Sequence, residues 1–211
     1  MPARLSKYLF VLLMLCGTAA YADAMTDDIA MLQHSWAKGY YSMPEGQQED
    51  YFDALRKKAH EVTAKFPNRA EPLIWEGIIT STLAKYQSIF SAGGTAKDAR
   101  DLLLSAAKID PNALDGSALT SLGSLYYKVP RFGSFGDYGK ARDYLERALK
   151  IDPNGIDQNY FYGEFLSIQG DKADAIAHLK KALAAPPRPG RADADAGRRK
   201  EIEQLLAKLS N

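Results

Sequence analysis

The residues that could do chemistry are few and scattered. His34, His60 and His178 lie far apart, on separate helical segments, so no two share a ligand spacing. His60-Glu61 begins like a zinc-protease helix, but Ala64 stands where the second histidine belongs. Gly133-Ser134-Phe135-Gly136 lacks the residue that a nucleophile elbow places between its first glycine and the serine. Gly93-Gly94-Thr95-Ala96-Lys97 has the wrong spacing for a phosphate loop and follows no strand, so it reads as a turn leading into a helix. Asp193-Ala194-Asp195-Ala196-Gly197 echoes a calcium loop. Arg198, Arg199 and Lys200 would repel the ion, so an acidic first helical turn is the better reading. No catalytic residue, metal site or cofactor is expected.

The chain begins with Arg4 and Lys7, then the apolar run Tyr8 to Leu15, then Ala20-Tyr21-Ala22 as an A-x-A cleavage site. That order predicts a secretory signal peptide over 1–22, too short to span a bilayer, and a mature domain over 23–211. Cys16 raises the alternative of a lipidated cysteine, which bulky Leu13 and Leu15 disfavour. Cleavage removes this single cysteine, excluding disulfides and thiolate chemistry from the mature chain. It also removes Arg4 and Lys7, leaving 25 basic against 26 acidic residues. That balance gives no electrostatic footprint for nucleic acid. No second apolar run has the length of a membrane span.

Elements able to position a site come from a repeat. Ala99, Leu103, Ala106 and Pro111 recur as Ala141, Leu145, Ala148 and Pro153, and again as Ala175, Leu179, Ala182 and Pro187. The spacings 4, 3 and 5 do not change. Offsets of 4 and 3 share a helical face, small alanines let a neighbouring helix come close, and the proline marks the stop. Two copies share the tail Lys-Ile-Asp-Pro-Asn, at Lys108 to Asn112 and Lys150 to Asn154. Each such helix has an upstream partner carrying Gly77, Gly123 or Gly163, and repetition of a residue that costs a helix roughly 1 kcal/mol points to close crossings. The spacing predicts helices over 27–41, 47–66, 70–90, 95–109, 115–128, 137–151, 156–169, 171–184 and 193–209. Length surpluses fall around Phe90 to Thr95 and Val129 to Gly139. Ile202, Leu205, Leu206 and Leu209 form the stripe of a terminal helix covering the last repeat.

Leu119-x-x-Leu122-Gly123-x-x-Tyr126 and the 34-residue step from Ala141 to Ala175 resemble the tetratricopeptide repeat. The resemblance implies an all-α fold: an α-α superhelix of tetratricopeptide-like helix pairs, stacked with right-handed twist and closed by a C-terminal capping helix. Trp75 to Leu209 also resembles the T-component family of TRAP transporters. That match rests on Ser121 to Pro130, on the glycine-phenylalanine loop after Pro130, and on Asn159 to Leu166. It implies a protein working beside a periplasmic solute-binding component. Members of that family are typically lipoproteins, and the poor lipidation site is a departure. In tetratricopeptide proteins, first-helix positions flanking the packing glycine line the inner groove. Carried over, these are Ile74 and Ile78, then Thr120, Ser124 and Tyr127, then Asp157, Tyr160 and Glu164. That set is apolar, hydroxylic and acidic, and favours a neutral, apolar or weakly basic ligand over a carboxylate tail.

Aromatic residues crowd the stretch from Tyr126 to Phe165. Core filling accounts for most of them. Phe132, Phe135 and Tyr138, on the longest irregular insertion, either fold back onto the repeats or meet a ligand together with Tyr127 and Tyr160. The function this predicts is an exported, non-enzymatic scaffold for protein–protein interaction in the periplasm, accessory to solute uptake, with a periplasmic solute-binding protein as candidate partner. Two alternatives stand beside it: a carrier of a small apolar ligand in an aromatic-lined pocket, and a hydrolase of cell-wall material, for which no motif speaks.

Overall fold

A computed structural model describes the backbone of residues 5–210 and the side chains of residues 21–210. The signal-peptide features before Tyr21, including Cys16, lie outside the described side chains. Among the described residues there are nine helices and no strand: α1 (Leu5–Tyr41), α2 (Gln48–Lys65), α3 (Ala70–Tyr86), α4 (Ile89–Ile109), α5 (Ala113–Lys128), α6 (Tyr138–Ile151), α7 (Ile156–Gln169), α8 (Lys172–Leu183) and α9 (Ala192–Ser210). Among the described residues, no helix is long and apolar enough to cross a membrane.

The helices pack as consecutive pairs, α1 with α2 through α7 with α8. Within the last three pairs one crossing is repeated. A Cβ added to Gly77 would lie 2.7 Å from Leu103 Cγ, one on Gly123 2.5 Å from Leu145 Cγ, and one on Gly163 2.9 Å from Leu179 Cγ. The carbonyls of Ala99, Ala141 and Ala175 stand 3.2–3.4 Å from the same three points. The repeated leucine therefore lies on the bare backbone of the partner helix, and the repeated alanines make room beside it. All three leucines and all six alanines are fully buried. The first pair keeps the spacing with different sizes. Leu55, Ala59 and Val62 precede Pro67 at the same offsets, all buried, so bulk and gap have changed places.

Second helices end where the sequence places the proline stop. In the two shared tails the Asp110 carboxylate accepts the Asn112 N–H at 2.8 Å and Asp152 accepts that of Asn154 at 3.2 Å. These aspartate turns carry the chain into α5 and α7. Before α5 settles, Leu114, Asp115 and Gly116 take left-handed backbone, at φ 48°, 56° and 74°. Gln158 holds this turn from the next unit by donating to the Asp115 carbonyl at 2.6 Å.

First helices α1, α3, α5, α7 and α9 form the inner row: α1 touches α3, α3 touches α5, α5 touches α7, and α7 touches α9. Two expectations change here. The segment Ser91 to Thr95 is helical, because α3 stops at Tyr86 and α4 begins at Ile89. Its glycines meet nothing within 4 Å, so backbone hydrogen bonding decides the conformation. The terminal helix does more than cover the last repeat. Leu205, Leu206 and Leu209 pack on the α7–α8 end, yet α9 also reaches α1, where the Tyr41 ring lies against Gly197.

The repeated crossing makes opposite demands on two helical glycines. Gly123→Ala is expected to cost roughly 1–3 kcal/mol by overpacking. Gly94→Ala, on an open helix surface, is expected to gain about 0.5–1 kcal/mol. Thermal melts of the two single variants check this, and shifts of the same sign would refute the crossing geometry.

Candidate functional site

A cleft of about 680 Å³ runs along the inner row. That volume lies within the range of pockets that enclose small organic molecules. One wall is aromatic. Trp36 stacks on Tyr40 at 4.9 Å between ring centres, Tyr41 meets Trp36 edge-on at 5.8 Å, and Trp75 meets it at 6.3 Å. The spacing Trp36–Tyr40 is one helical turn on α1, and Trp75 stands beside it on α3. Trp36 donates its indole N–H to Thr82 at 2.9 Å. Trp75 is buried, and its indole N–H has no acceptor among the described residues.

The other wall comes from α5 and from the segment around the start of α9. Thr120 and Ser124 face the cleft with Ile78, as does Asp157 deeper in. Asp157 is where the polar network converges. Its Oδ2 accepts from Arg188 Nη1 at 2.6 Å and its Oδ1 accepts from Arg198 Nε at 2.8 Å. Arg188 also binds Asp195 at 2.7 Å, and Arg198 binds Glu201 at 2.7 Å while lying 4.3 Å above the Tyr160 ring. Burial disfavours the charged Asp157, but the fields of Arg198 and Arg188 more than offset it and hold its pKa below the ordinary carboxylate value. Tyr41 is pushed well above the usual tyrosine range by burial.

The first-helix positions divide. Ile78, Thr120, Ser124 and Asp157 line the cleft. Ile74 does not; it is fully buried against Ala106 and Ala118, at the junction of α3, α4 and α5. Tyr127 is buried on Phe165 and donates to Glu164. Glu164 is further held by Lys128 at 2.8 Å, and Tyr160 lies buried beneath Arg198. These three are spent on packing and pairing, Tyr127 and Glu164 between α5 and α7, and Tyr160 against Arg198 of α9. The acidic character expected of the groove is cancelled too. Asp157 and Glu164 are both ion-paired, while Lys85, Lys97, Arg188, Arg191 and Arg198 line the cleft.

The insertion after Pro130 also divides. Phe135 folds back, its ring 5.6 Å from Tyr126 and beneath the Arg100 guanidinium at 4.7 Å. Tyr138 lies 6.0 Å from Phe165 and is covered by Arg131. Phe132 stays out, 99% exposed at the cleft mouth. From the other insertion Ile89 reaches the same mouth at 87% exposure, and adjacent Phe90 is 97% exposed. Both length surpluses thus converge on one opening. The histidines do not meet: His34 is exposed on α1, His60 bonds Glu76 at 2.9 Å, and His178 bonds Asn159 at 3.0 Å. Sequence reasoning missed Trp36, Tyr40, Trp75 and Arg191. The i, i+4 aromatic pair on α1 and the arginines flanking Pro189-Gly190 were the available signals.

Residues 132–154 match the family model of the tetratricopeptide repeat. The crystal structure of a thermophilic TPR protein from Thermus thermophilus superposes with a TM-score of 0.58, covering 97% of each chain at 16% identity. The fold is a tetratricopeptide-type superhelix. The crystal structure of MamA aligns with 79% of this chain and 93% of its own, at 21% identity and a TM-score of 0.47. No curated protein matches the sequence.

Asp157 carries the polar network, so Asp157→Asn is expected to destabilise the protein by roughly 2–3 kcal/mol, since Arg198 and Arg188 keep one carboxylate each. Its ionised form is favoured on folding. That contribution is complete above the ordinary aspartate pKa of 3.8 and is lost as the pH falls from there through the lower value of the folded state. Denaturant melts from about pH 6 down to about pH 2 should show a shallower acid loss in the variant than in the parent. Parallel pH curves would contradict the assignment.

Proposed function

We propose that this TPR-type protein is an exported, non-enzymatic scaffold of the periplasm that docks a protein partner at the mouth of its inner cleft. The observation behind this is the convergence of Ile89 and Phe132, two large apolar side chains in open solvent, on the mouth of the cleft from two separate insertions into the repeat. Large exposed apolar groups at one opening are uncommon on a chain that works alone, and aromatic anchors dominate docking energies. The signal-peptide pattern at 1–22 supports export. The resemblance of Trp75 to Leu209 to T-component proteins supports a periplasmic solute-binding protein as the partner, with a role accessory to solute uptake.

A second reading, the small-ligand carrier, is favoured by the aromatic-walled cleft beneath that mouth. The two are compatible, because the rim and the cleft floor use different residues.

Cross-linked capture from periplasmic extract identifies the partner, and titration measures its affinity. The double variant Ile89→Ser, Phe132→Ser is expected to weaken binding by about 2 kcal/mol, roughly 30-fold in Kd, with unchanged helical content. Phe135→Ser should instead lower the melting temperature, because its ring is packed beneath Arg100. Undiminished affinity in the double variant would remove the rim from the docking surface.

A further inference from the structure

Second helices α6 and α8 begin three residues before their repeated alanines, at Tyr138 before Ala141 and at Lys172 before Ala175. Helix α4 begins ten residues before Ala99, at Ile89. The seven extra residues, 89–95, add two turns, about 10 Å of helix. They do so at the end of the array where α3 stops, because only Gln87 and Ser88 join α3 to α4. The insertion after α5 leaves from the same end, since α3 and α5 run parallel in the inner row. Each projection carries an aromatic side chain that nothing covers: Phe90 is 97% and Phe132 99% exposed. Their flanks are bare. A Cβ on Gly93, Gly94 or Gly133 would meet nothing within 4 Å. Aromatic anchors of protein interfaces are ringed by contacts that keep water out, and Phe90 has no such ring and does not line the cleft.

Charge on the two projections has one sign. Over 85–97 and 128–136 the chain carries four cations, Lys85, Lys97, Lys128 and Arg131, and no carboxylate. Lys128 is paired with Glu164, and Lys85 bonds the Tyr40 hydroxyl. Lys97 and Arg131 are exposed and have no carboxylate partner among the described residues. Phe90, Gly93, Gly94 and Lys97 stand at i, i+3, i+4 and i+7, on one face of α4, and Arg131 directly precedes Phe132. Each uncovered aromatic therefore has an unpaired cation of its own. The other turns at this end bring Glu45 and Asp171, the second facing Arg142 at 3.7 Å. A protruding ring without a surrounding wall suits a soft apolar medium, and the cation beside it calls for an anion at the surface of that medium. Anionic headgroups above an acyl boundary supply both.

We propose that segments 89–95 and 130–134 form a docking face for an anionic lipid bilayer, with Phe90 and Phe132 entering the headgroup region and Lys97 and Arg131 meeting lipid phosphates. The contact is peripheral and reversible, because two rings are far less than a membrane anchor. It goes beyond the protein-docking reading. Phe132 is common to both, so a bilayer and a protein partner compete for that side of the rim.

Quenching by vesicles with brominated acyl chains tests it, because only a tryptophan that enters the bilayer is quenched. Trp36 and Trp75 are buried and give the same background in every variant. The apolar run at 8–15 is also common to all variants of the full chain, so the local signal is read rather than total binding. Phe90→Trp and Phe132→Trp are expected to be quenched by brominated phosphatidylglycerol–phosphatidylethanolamine vesicles. Ile109→Trp, at the other end of α4 and about 28 Å from Phe90, should not be. Brominated phosphatidylcholine vesicles, which carry no net charge, should quench none of them. Lys97→Gln with Arg131→Gln, added to Phe90→Trp, should raise the lipid concentration for half-quenching by about tenfold or more. Absent quenching at 90 and 132, equal quenching at 109, or equal quenching by neutral and anionic vesicles would overturn the proposal. Partner capture at the rim with no quenching by either vesicle would assign the face to protein docking alone. Phe90→Ser should leave partner capture unchanged, so each reading can fail without the other.

Discussion

The helices of a pair come so close that the backbone of one touches the leucine of the other. Nothing larger than a hydrogen fits at Gly77, Gly123 or Gly163. That distance fixes how closely each second helix lies on its first. The cleft lies along the row of first helices that these pairs form. Its aromatic wall exists because α1 and α3, at one end, present Trp36, Tyr40 and Trp75 toward the hollow side. A methyl group at one crossing would move every later helix relative to the earlier ones, since displacements accumulate along a stacked array.

The parts of this architecture that depend on neighbours in sequence were readable from the sequence. The 4, 3, 5 spacing and its glycine counterparts predict the buried crossing positions, from Gly77 and Ala106 through Gly163 and Ala182, because a helix writes its packing face into a period of 3.6. The glycines at 93 and 94 misled that reading. Turn residues on an open surface impose little cost, and here the helix simply runs through them. The site was half legible. Aligning first helices found Ile78, Thr120, Ser124 and Asp157, but placed Ile74, Tyr127, Tyr160 and Glu164 on a surface they do not reach. For Tyr160 and for the pairing of Asp157, the missing fact was the course of α9. Asp157 meets Arg188 and Arg198 across 31 and 41 residues of chain, and Tyr41 meets Glu201 across 160. No local period encodes contacts at those separations.

The ion-pair network beneath α9 bears on specificity more than on stability. Buried pairs roughly repay their own desolvation, while an unmatched member is costly. Pairing Asp157 with two arginines and each arginine with a second carboxylate leaves α9 one register that satisfies all of them. A slip by one turn would strand several charges.

Contact between α9 and α1 changes how the array holds together. A linear solenoid is coupled only through nearest neighbours, so its ends fray and its stability is close to a sum over units. Here the last helix touches the first through Tyr41, Gly197 and Glu201. The chain of couplings becomes a ring, and no unit can open without breaking two interfaces. Unfolding is then expected to be cooperative rather than an unzipping from either end, and the cleft lined by the same helices should be as durable as the whole fold.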